Sequence, residues 1–175
     1  MSSFLLGALL WVSPGLFLSA HAALDVAKPG SPAKVIQRMR PKPKAAPARI
    51  DNVVGRAHEL IGTPYRWGGM SVSGFDCSGL LVYLFQQEAN IKLPRSTVAM
   101  RRSNARTIER NNLKPGDAVF FRRNGQSTVN HVGLYIGGGK FIHSPRSGKT
   151  VRIDSLSNSY WKKSYTLAKR FHSTH

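Results

Sequence analysis

Apolar residues at helical spacing open the folded part of the chain. They recur every three or four residues, at Ile50, Val53, Val54, Ala57, Leu60 and Ile61. Asp51 or Asn52 is placed to cap the start of such a helix, and Gly62 is placed to end it. The pattern therefore predicts a first helix over residues 50–61.

A second apolar run follows a turn-rich segment, residues 63–74, and begins at the only cysteine of the chain, Cys77. Leucines and a phenylalanine after Gly79 lie at helical spacing, so we predict a helix that runs to about Asn90. This pattern places Cys77 at the mouth of a buried helix. The sequence beyond Asn90 is basic and polar, and it predicts one short helix over residues 97–104.

From residue 118 onwards the hydrophobic period changes to that of strands. Short runs separated by Gly, Ser and Asn turns predict about five strands, over residues 118–122, 131–136, 140–144, 150–153 and 166–171. Helices followed by an antiparallel sheet indicate an α+β domain. The 175 residues provide a core for one such domain and contain no internal repeat.

The first 49 residues have a different composition. Residues 4–19 are apolar and interrupted by Pro14, and they precede Ala20-His21-Ala22, which has the small-x-small form of a signal peptidase site. We predict a signal peptide over residues 1–22 and a disordered basic Pro/Ala/Lys linker over 23–49, before a catalytic domain over 50–175. A retained membrane anchor is the alternative, although a run of roughly 16 residues is short for a span of about 20.

The charge of the chain is strongly positive, with 26 Lys and Arg against 8 Asp and Glu and a net charge of +18. Such a surface attracts polyanions, which include nucleic acid, anionic lipid and the acidic polymers of a bacterial envelope. Export argues against nucleic acid as the partner. We therefore expect a protein of the periplasm or cell envelope with no nucleic-acid partner and, after signal cleavage, no stable membrane span.

The single cysteine is the first candidate for chemistry. Because no second cysteine exists, Cys77 is either a free reactive thiol or a small buried apolar residue. A helix start favours the thiolate, whereas the carboxylate of the neighbouring Asp76 disfavours it. We expect the helix start and a nearby histidine to outweigh Asp76 and to lower the pKa of Cys77.

Two histidines could serve as partners of this thiol. His131 and His143 lie in successive predicted strands joined by the turn Gly137-Gly138-Gly139, so both could face one site. Each could equally be a hydrogen-bonded strand residue. His58 has no second histidine at metal-ligand spacing, and we expect no metal site and no cofactor.

Four blocks of sequence together resemble the NlpC/P60 family of cell-wall cysteine peptidases. They are GTPYRWGG at residues 62–69, FDCSGL at 75–80, LKPGD with two phenylalanines at 113–121, and HVGLYIG with FIHS at 131–144. The blocks cover the whole predicted domain. The resemblance implies a papain-like α+β core, with N-terminal helices packed on a five- to six-stranded antiparallel sheet.

The resemblance also implies roles for individual residues. Cys77 would be the nucleophile, His131 the base and His143 the residue that orients it. Tyr65 would point its hydroxyl at the oxyanion or the substrate. Asp76 and Ser78 match residues that bind a free peptide amine in some relatives, and Asp76 as a simple helix cap is the alternative.

The function implied is that of an exported, monomeric cysteine endopeptidase acting on peptidoglycan. The family suggests the bond between D-glutamate and the diamino acid diaminopimelate, or the diaminopimelate cross-link. Two other functions stay open, namely a catalytically silent peptidoglycan-binding module and a thiol acyltransferase. The sequence also leaves open an adaptor or protease that regulates the protein.

Overall fold

The computed structural model describes residues 46–172, with side chains from Arg49 onwards. The predicted signal peptide and nearly all of the predicted linker lie outside the described residues. Within residues 46–172, no helix has both the length and the apolar character needed to cross a membrane.

The first helix, α1, spans Ala46–Glu59 and buries one apolar face. Val53 and Ala57 are fully buried, whereas the predicted face residue Ile61 is 43% exposed. The predicted caps, Asp51 and Asn52, were wrong, because both lie inside the helix. Alanine and arginine favour helix, and a first-turn proline costs no hydrogen bond, so residues 46–49 of the predicted linker are helical.

The second helix, α2, spans Cys77–Leu84 and continues as one π-helical turn over Phe85–Ala89. Asn90 ends it with a left-handed backbone, at φ 56°, as predicted from the end of the apolar run. A small hairpin of β1 (Met70–Ser71) and β2 (Gly74–Phe75) precedes the helix. The hairpin and helix together place Cys77 directly after the last strand residue and its cap.

Six antiparallel strands form the main sheet, in the order β3-β8-β4-β5-β6-β7. They are β3 (Arg106–Ile108), β4 (Ala118–Phe121), β5 (His131–Gly137), β6 (Lys140–His143), β7 (Arg152–Ser155) and β8 (Tyr165–Arg170). Two short helices complete the domain, α3 (Thr97–Arg102) and α4 (Ser159–Ser164), with a 3-10 turn at Arg110–Asn112. The α+β prediction is confirmed.

The strand predictions differ from the structure in three places, the first being the unpredicted hairpin of β1 and β2. β3 was not predicted, because only Ile108 of its three residues is buried and the strand forms by pairing with β8. The strand predicted at residues 150–153 begins instead at Arg152. The two residues before it pair instead with the segment that precedes Cys77. The backbone N–H of Val151 donates to the carbonyl of Thr63, and Thr150 forms an isolated β-bridge with Pro64.

The hydrophobic core has two parts. One part joins α1 and α2 to the sheet through residues such as Leu80, Val132 and Leu134, and Cys77 packs against it. The other is aromatic and contains Phe121, Phe141 and Trp161. Ser144 is buried and donates to the carbonyl of Phe75 at 2.7 Å, which ties the end of β6 to the strand before Cys77.

Candidate active site

A pocket of about 720 Å³ contains the residues that the sequence analysis selected, and we call it the thiol pocket. Cys77, His131, Tyr65, Asp76 and Ser78 all line it. His143 lies behind His131 and is fully buried. The fold thus brings together residues that are up to 78 positions apart in the chain.

Cys77 is the first residue of α2, so its backbone N–H has no acceptor within the helix. Its sulfur is partly accessible from the pocket and lies 3.5 Å from the hydroxyl of Thr97. The backbones of Val132 and Ser78 also hydrogen-bond the sulfur. The sulfur is therefore reachable and surrounded by donors.

The pKa of the Cys77 thiol is nevertheless raised above its ordinary value of 9.0. Burial is the largest cause, and the carboxylate of Asp76 adds to it, while the hydroxyl of Thr97 and the two backbone donors oppose it. The expectation of a lowered pKa was therefore wrong for the resting structure. Burial outweighs the hydrogen-bond donors that surround the sulfur.

A chain of hydrogen bonds runs from His131 into the protein. Its Nε2 lies 2.7 Å from Nδ1 of His143, and Nε2 of His143 lies 2.9 Å from a carboxylate oxygen of Asp154. Burial lowers the pKa of both histidines below the ordinary 6.5, most strongly for His131, where His143 and Arg123 contribute. Both rings are therefore neutral at neutral pH.

This neutrality fixes the position of every proton in the chain. Burial raises the pKa of Asp154, but hydrogen bonds from His143 and Arg152 lower it overall, so its carboxylate only accepts. His143 therefore donates from Nε2 and accepts at Nδ1, and His131 donates from Nε2. Nδ1 of His131 is left unprotonated, as the acceptor that a general base requires.

Trp161 holds this chain in place. Its ring stacks on His131 at 5.6 Å between centroids and meets His143 edge-on at 5.0 Å. Its indole N–H donates to Asp154 at 3.0 Å. The same oxygen of Asp154 also accepts from Arg152 at 2.9 Å. Each ring in the chain is therefore fixed by both stacking and hydrogen bonding.

Arg123 lies next to Nδ1 of His131, the unprotonated ring nitrogen. One of its guanidinium nitrogens lies 3.4 Å from Nδ1 and donates to the carbonyl of Pro145 at 2.6 Å. Within residues 46–172, no hydrogen bond joins the Cys77 sulfur to the His131 ring. The two groups face one pocket, and Val132, next to His131, contacts the sulfur.

Asp76 caps α2, as the alternative interpretation proposed. Its carboxylate accepts from the backbone N–H of Gly79 at 2.6 Å and from Arg95 at 2.6 and 3.1 Å. The hydroxyl of Ser78 donates to it at 3.2 Å and accepts from Arg95 at 3.0 Å. The charge of Asp76 is thus compensated within the protein, which disfavours the proposed binding of a substrate amine.

Tyr65 lies at the rim of the thiol pocket with its ring partly buried. Its hydroxyl has no hydrogen-bond partner in the part of the chain that the structure describes. Burial raises its pKa, with further contributions from the charges of Cys77 and Asp76. The hydroxyl therefore stays protonated and available to donate. Trp67 stands beside it with 87% of its surface exposed.

Four residues of the site were not predicted from the sequence, namely Asp154, Trp161, Thr97 and Arg123. The predicted strand stopped at residue 153, one position before Asp154. Since β6 and β7 pair with His143 opposite Arg152, a strand extended to Ser155 would have brought Asp154 close to His143. No comparable signal marks Trp161 or Thr97. In the described range, no group of three or more His, Cys, Asp or Glu residues is arranged to hold a metal ion.

Comparison with known families and sequences identifies related proteins. The model of the NlpC/P60 family matches residues 62–170. Murein DD-endopeptidase MepH of Escherichia coli (strain K12) is 51% identical over 114 residues, which are 64% of this chain and 42% of that protein. Gamma-DL-glutamyl hydrolase of Bacillus subtilis (strain 168) is 44% identical over 129 residues, with shares of 73% and 31%. The chain spans less than half the length of these relatives.

Solved structures resemble the fold over most of the described residues. An NlpC/P60 family protein from Bacillus cereus superposes with a TM-score of 0.66 at 34% identity, over 71% of this chain and 40% of that one. The NlpC/p60 domain of peptidoglycan hydrolase SagA superposes with a TM-score of 0.59 at 32% identity, over 69% of this chain and 97% of that one. The similarity therefore includes the helix of Cys77 and the sheet behind it.

Proposed function

The chain belongs to the NlpC/P60 family, and from this membership and the site geometry we propose that it is a cysteine endopeptidase that hydrolyses an amide bond in peptidoglycan peptides. The observation that carries the proposal is the hydrogen-bonded chain from His131 through His143 to Asp154, in the same site as the largely buried Cys77 that lines the thiol pocket. Names of similar proteins, murein DD-endopeptidase and gamma-DL-glutamyl hydrolase, support amide hydrolysis in acidic peptides.

Proton transfer and attack occur together in this mechanism. Because the thiol and His131 both favour their neutral forms, no resting thiolate–imidazolium pair is expected. The sulfur attacks the amide carbonyl carbon as its proton moves to Nδ1 of His131. Hydrogen bonds of this kind often tighten only when substrate is bound, which fits the absence of a direct contact between the two groups here.

The amine departs with the proton that His131 has taken. The C–N bond breaks, the acyl group remains on Cys77 as a thioester, and His131 returns its proton to the amine nitrogen. Water then attacks the thioester and gives its proton to His131, which releases a carboxylic acid and restores the thiol. The first product carries the amine and the second carries the new carboxylate.

Asp154 and His143 act as positioning residues for this base. When His131 is protonated, the positive charge is stabilised through the His143 ring by the carboxylate of Asp154. The backbone N–H of Cys77 and the hydroxyl of Tyr65 are the donors available to the oxyanion. Asp76 and Ser78 hold the start of α2 through the helix cap and Arg95.

The bond that is cut and the location of the protein belong to the proposal. We favour the bond between D-glutamate and diaminopimelate or the diaminopimelate cross-link, with the protein in the periplasm or cell envelope as a monomer. Attraction between the basic surface and the anionic wall should weaken as salt concentration rises.

Digestion of purified peptidoglycan by the full chain tests the proposal. We expect soluble peptides whose masses identify the cut bond, and none from Cys77→Ala. A protein that sediments with peptidoglycan but releases nothing would instead be a binding module. Transfer of the acyl group to an added amine in place of water would indicate an acyltransferase.

A further inference from the structure

A second cleft adjoins the thiol pocket, and four of its ten lining residues are basic; we call it the basic cleft. It has a volume of about 460 Å³. Its basic residues come from the loop before β5, the loop between β6 and β7, and β7 itself, and they are Arg123, Arg146, Lys149 and Arg152. The mechanism above uses neither Arg146 nor Lys149, and Arg152 enters it only by holding Asp154.

The charge of the basic cleft is not balanced by the protein. Its one acidic residue is Asp154, which is already bound by Arg152 and by His143. Among residues 46–172, no ion pair involves Arg123, Arg146 or Lys149. Three cationic side chains therefore converge on one concave surface without a carboxylate partner, which is an arrangement that attracts an anion.

The basic cleft is continuous with the site of reaction. Arg123, Asn124, Pro145 and Arg146 line both the basic cleft and the thiol pocket. Arg123 stands at the junction, where it is held by the carbonyl of Pro145 and contacts His131. A peptide bound with its scissile carbonyl at Cys77 can thus extend directly into the basic cleft.

Polar groups in the basic cleft match a carboxylate of modest size. The guanidinium of Arg146 presents N–H pairs suited to carboxylate oxygens, while Arg123, whose Nη1 and Nε are already hydrogen-bonded within the protein, adds mainly charge. Lys149 adds a flexible ammonium. The hydroxyl of Tyr160 lies in the same wall, where it accepts from Arg123 at 3.3 Å and donates to Asn124 at 3.3 Å. Recognition of a small anion would therefore combine charge with directed hydrogen bonds.

We propose that the basic cleft is a substrate subsite that binds a free carboxylate of the peptide, next to the amide that Cys77 attacks. This inference rests on the proposed function. It makes the enzyme selective for peptides that keep this carboxylate over peptides in which it is amidated.

Steady-state kinetics on two matched peptides test the proposal. One peptide carries free carboxylates beside the scissile amide, and the other carries carboxamides at the same positions. The double variant Arg146→Gln/Lys149→Gln of the full chain should raise KM for the acidic peptide about three- to tenfold, which is about 0.7–1.4 kcal/mol, because two exposed ionic contacts are lost. It should leave KM for the amidated peptide unchanged.

The matched control is Arg101→Gln/Lys140→Gln, which removes the same charge at exposed positions outside both clefts. It should change neither KM. An equal rise for both peptides, or an equal rise in the control variant, would overturn the subsite. The latter result would show that only the overall charge attracts the substrate.

Binding of the acidic peptide to Cys77→Ala separates this proposal from the proposed function. Calorimetry should show weaker binding when Arg146 and Lys149 are also replaced, even if the wild-type chain cuts neither peptide. Affinity that is independent of both side chains would contradict the subsite whether or not hydrolysis occurs. Inorganic phosphate that displaces the peptide from Cys77→Ala, but not from the variant in which Arg146 and Lys149 are also replaced, would support the subsite.

Discussion

At the residue scale, the proton positions around His131 are set by a residue that the sequence did not reveal. Asp154 accepts from His143, Trp161 and Arg152 through one carboxylate oxygen. Because that oxygen can only accept, each histidine behind it has one available tautomer. The carboxylate of Asp154, two hydrogen bonds away, thus determines which nitrogen of His131 carries the proton.

Replacement of Asp154 tests this control. Asp154→Asn keeps the shape but removes the charge that stabilises protonated His131, so kcat should fall about ten- to hundredfold, the equivalent of one charge-assisted hydrogen bond. KM should stay unchanged, because Asp154 lies behind the histidines. Asp51→Asn, an exposed change on α1, is the control. An unchanged kcat in Asp154→Asn would show that Asp154 has only a structural role.

The pH dependence follows from the two shifted pKa values. Activity requires neutral His131, whose pKa lies below 6.5, and a protonated thiol, whose pKa lies above 9.0. The ratio kcat/KM should therefore rise with pH through a pKa below 6.5, stay level, and fall above pH 9. The thiolate ultraviolet absorbance of wild type minus Cys77→Ser should show the same upper transition. A thiol that ionises below pH 7 would contradict the resting neutral pair.

At the element scale, the position of Cys77 depends on how closely α2 approaches the preceding turn. Gly79 has no side chain, and a Cβ there would lie 2.0 Å from the carbonyl oxygen of Gly69. The same carbonyl accepts from the backbone N–H of Asp76 at 3.0 Å. The first turn of α2 therefore packs directly on the double-glycine turn.

Gly79→Ala should force these two backbones apart. We expect a loss of about 1–3 kcal/mol in the free energy of unfolding, as for other overpacked sites, together with lower kcat because Cys77 moves. Gly55→Ala in α1 is the matched control, since its Cβ meets nothing within 4 Å, and it should stabilise by about 0.5–1 kcal/mol. Urea unfolding measures both. A Gly79→Ala variant as stable as wild type would contradict the close packing.

Predictions of helices and strands succeeded where the buried positions follow the hydrophobic period of the sequence. They failed where an element forms only through pairing with another element. The sequence predicted the end of α2 at Asn90 and the strands β4, β5 and β6, because their apolar runs are continuous and bounded by turn residues. β3 could not be predicted, because it forms only by pairing with β8. The raised pKa of Cys77 was missed for the same reason, since burial depends on the whole fold.

At the scale of the whole molecule, a buried ion pair joins the last strand to the turn before β4. Arg170 donates to both carboxylate oxygens of Asp117, at 2.6 and 2.7 Å, and to the carbonyl of Asn112 at 3.2 Å. Both side chains are almost fully buried. This pair fixes β8 beside β4, near the centre of the sheet that carries both histidines.

Arg170→Met should destabilise the domain by about 3–5 kcal/mol, because it leaves the carboxylate of Asp117 buried without its partner. Denaturant unfolding measures the loss. Replacement of both residues, by Arg170→Met and Asp117→Leu, should recover part of it, since no unpaired charge remains. A single variant with wild-type stability would show that water or another residue replaces the partner.

The family and the candidate site residues could be predicted from four motif blocks, whereas the surroundings of the site could not. Cys77, His131 and His143 lie in those blocks, and the fold brings them to one place. Asp154, Trp161 and the basic cleft depend on the pairing of β6 with β7 and on the loops between strands. These contacts join residues that are far apart in the sequence, and the hydrophobic pattern does not show which strands become neighbours.

Detection of the covalent intermediate tests the central claim most directly. Intact-protein mass spectrometry of the full chain, acid-quenched during turnover of a defined wall peptide, should show a mass increase equal to the acyl part of the peptide. The increase should map to Cys77 and be absent, together with all hydrolysis, from Cys77→Ala. Hydrolysis that continues at the wild-type rate in Cys77→Ala would contradict the account.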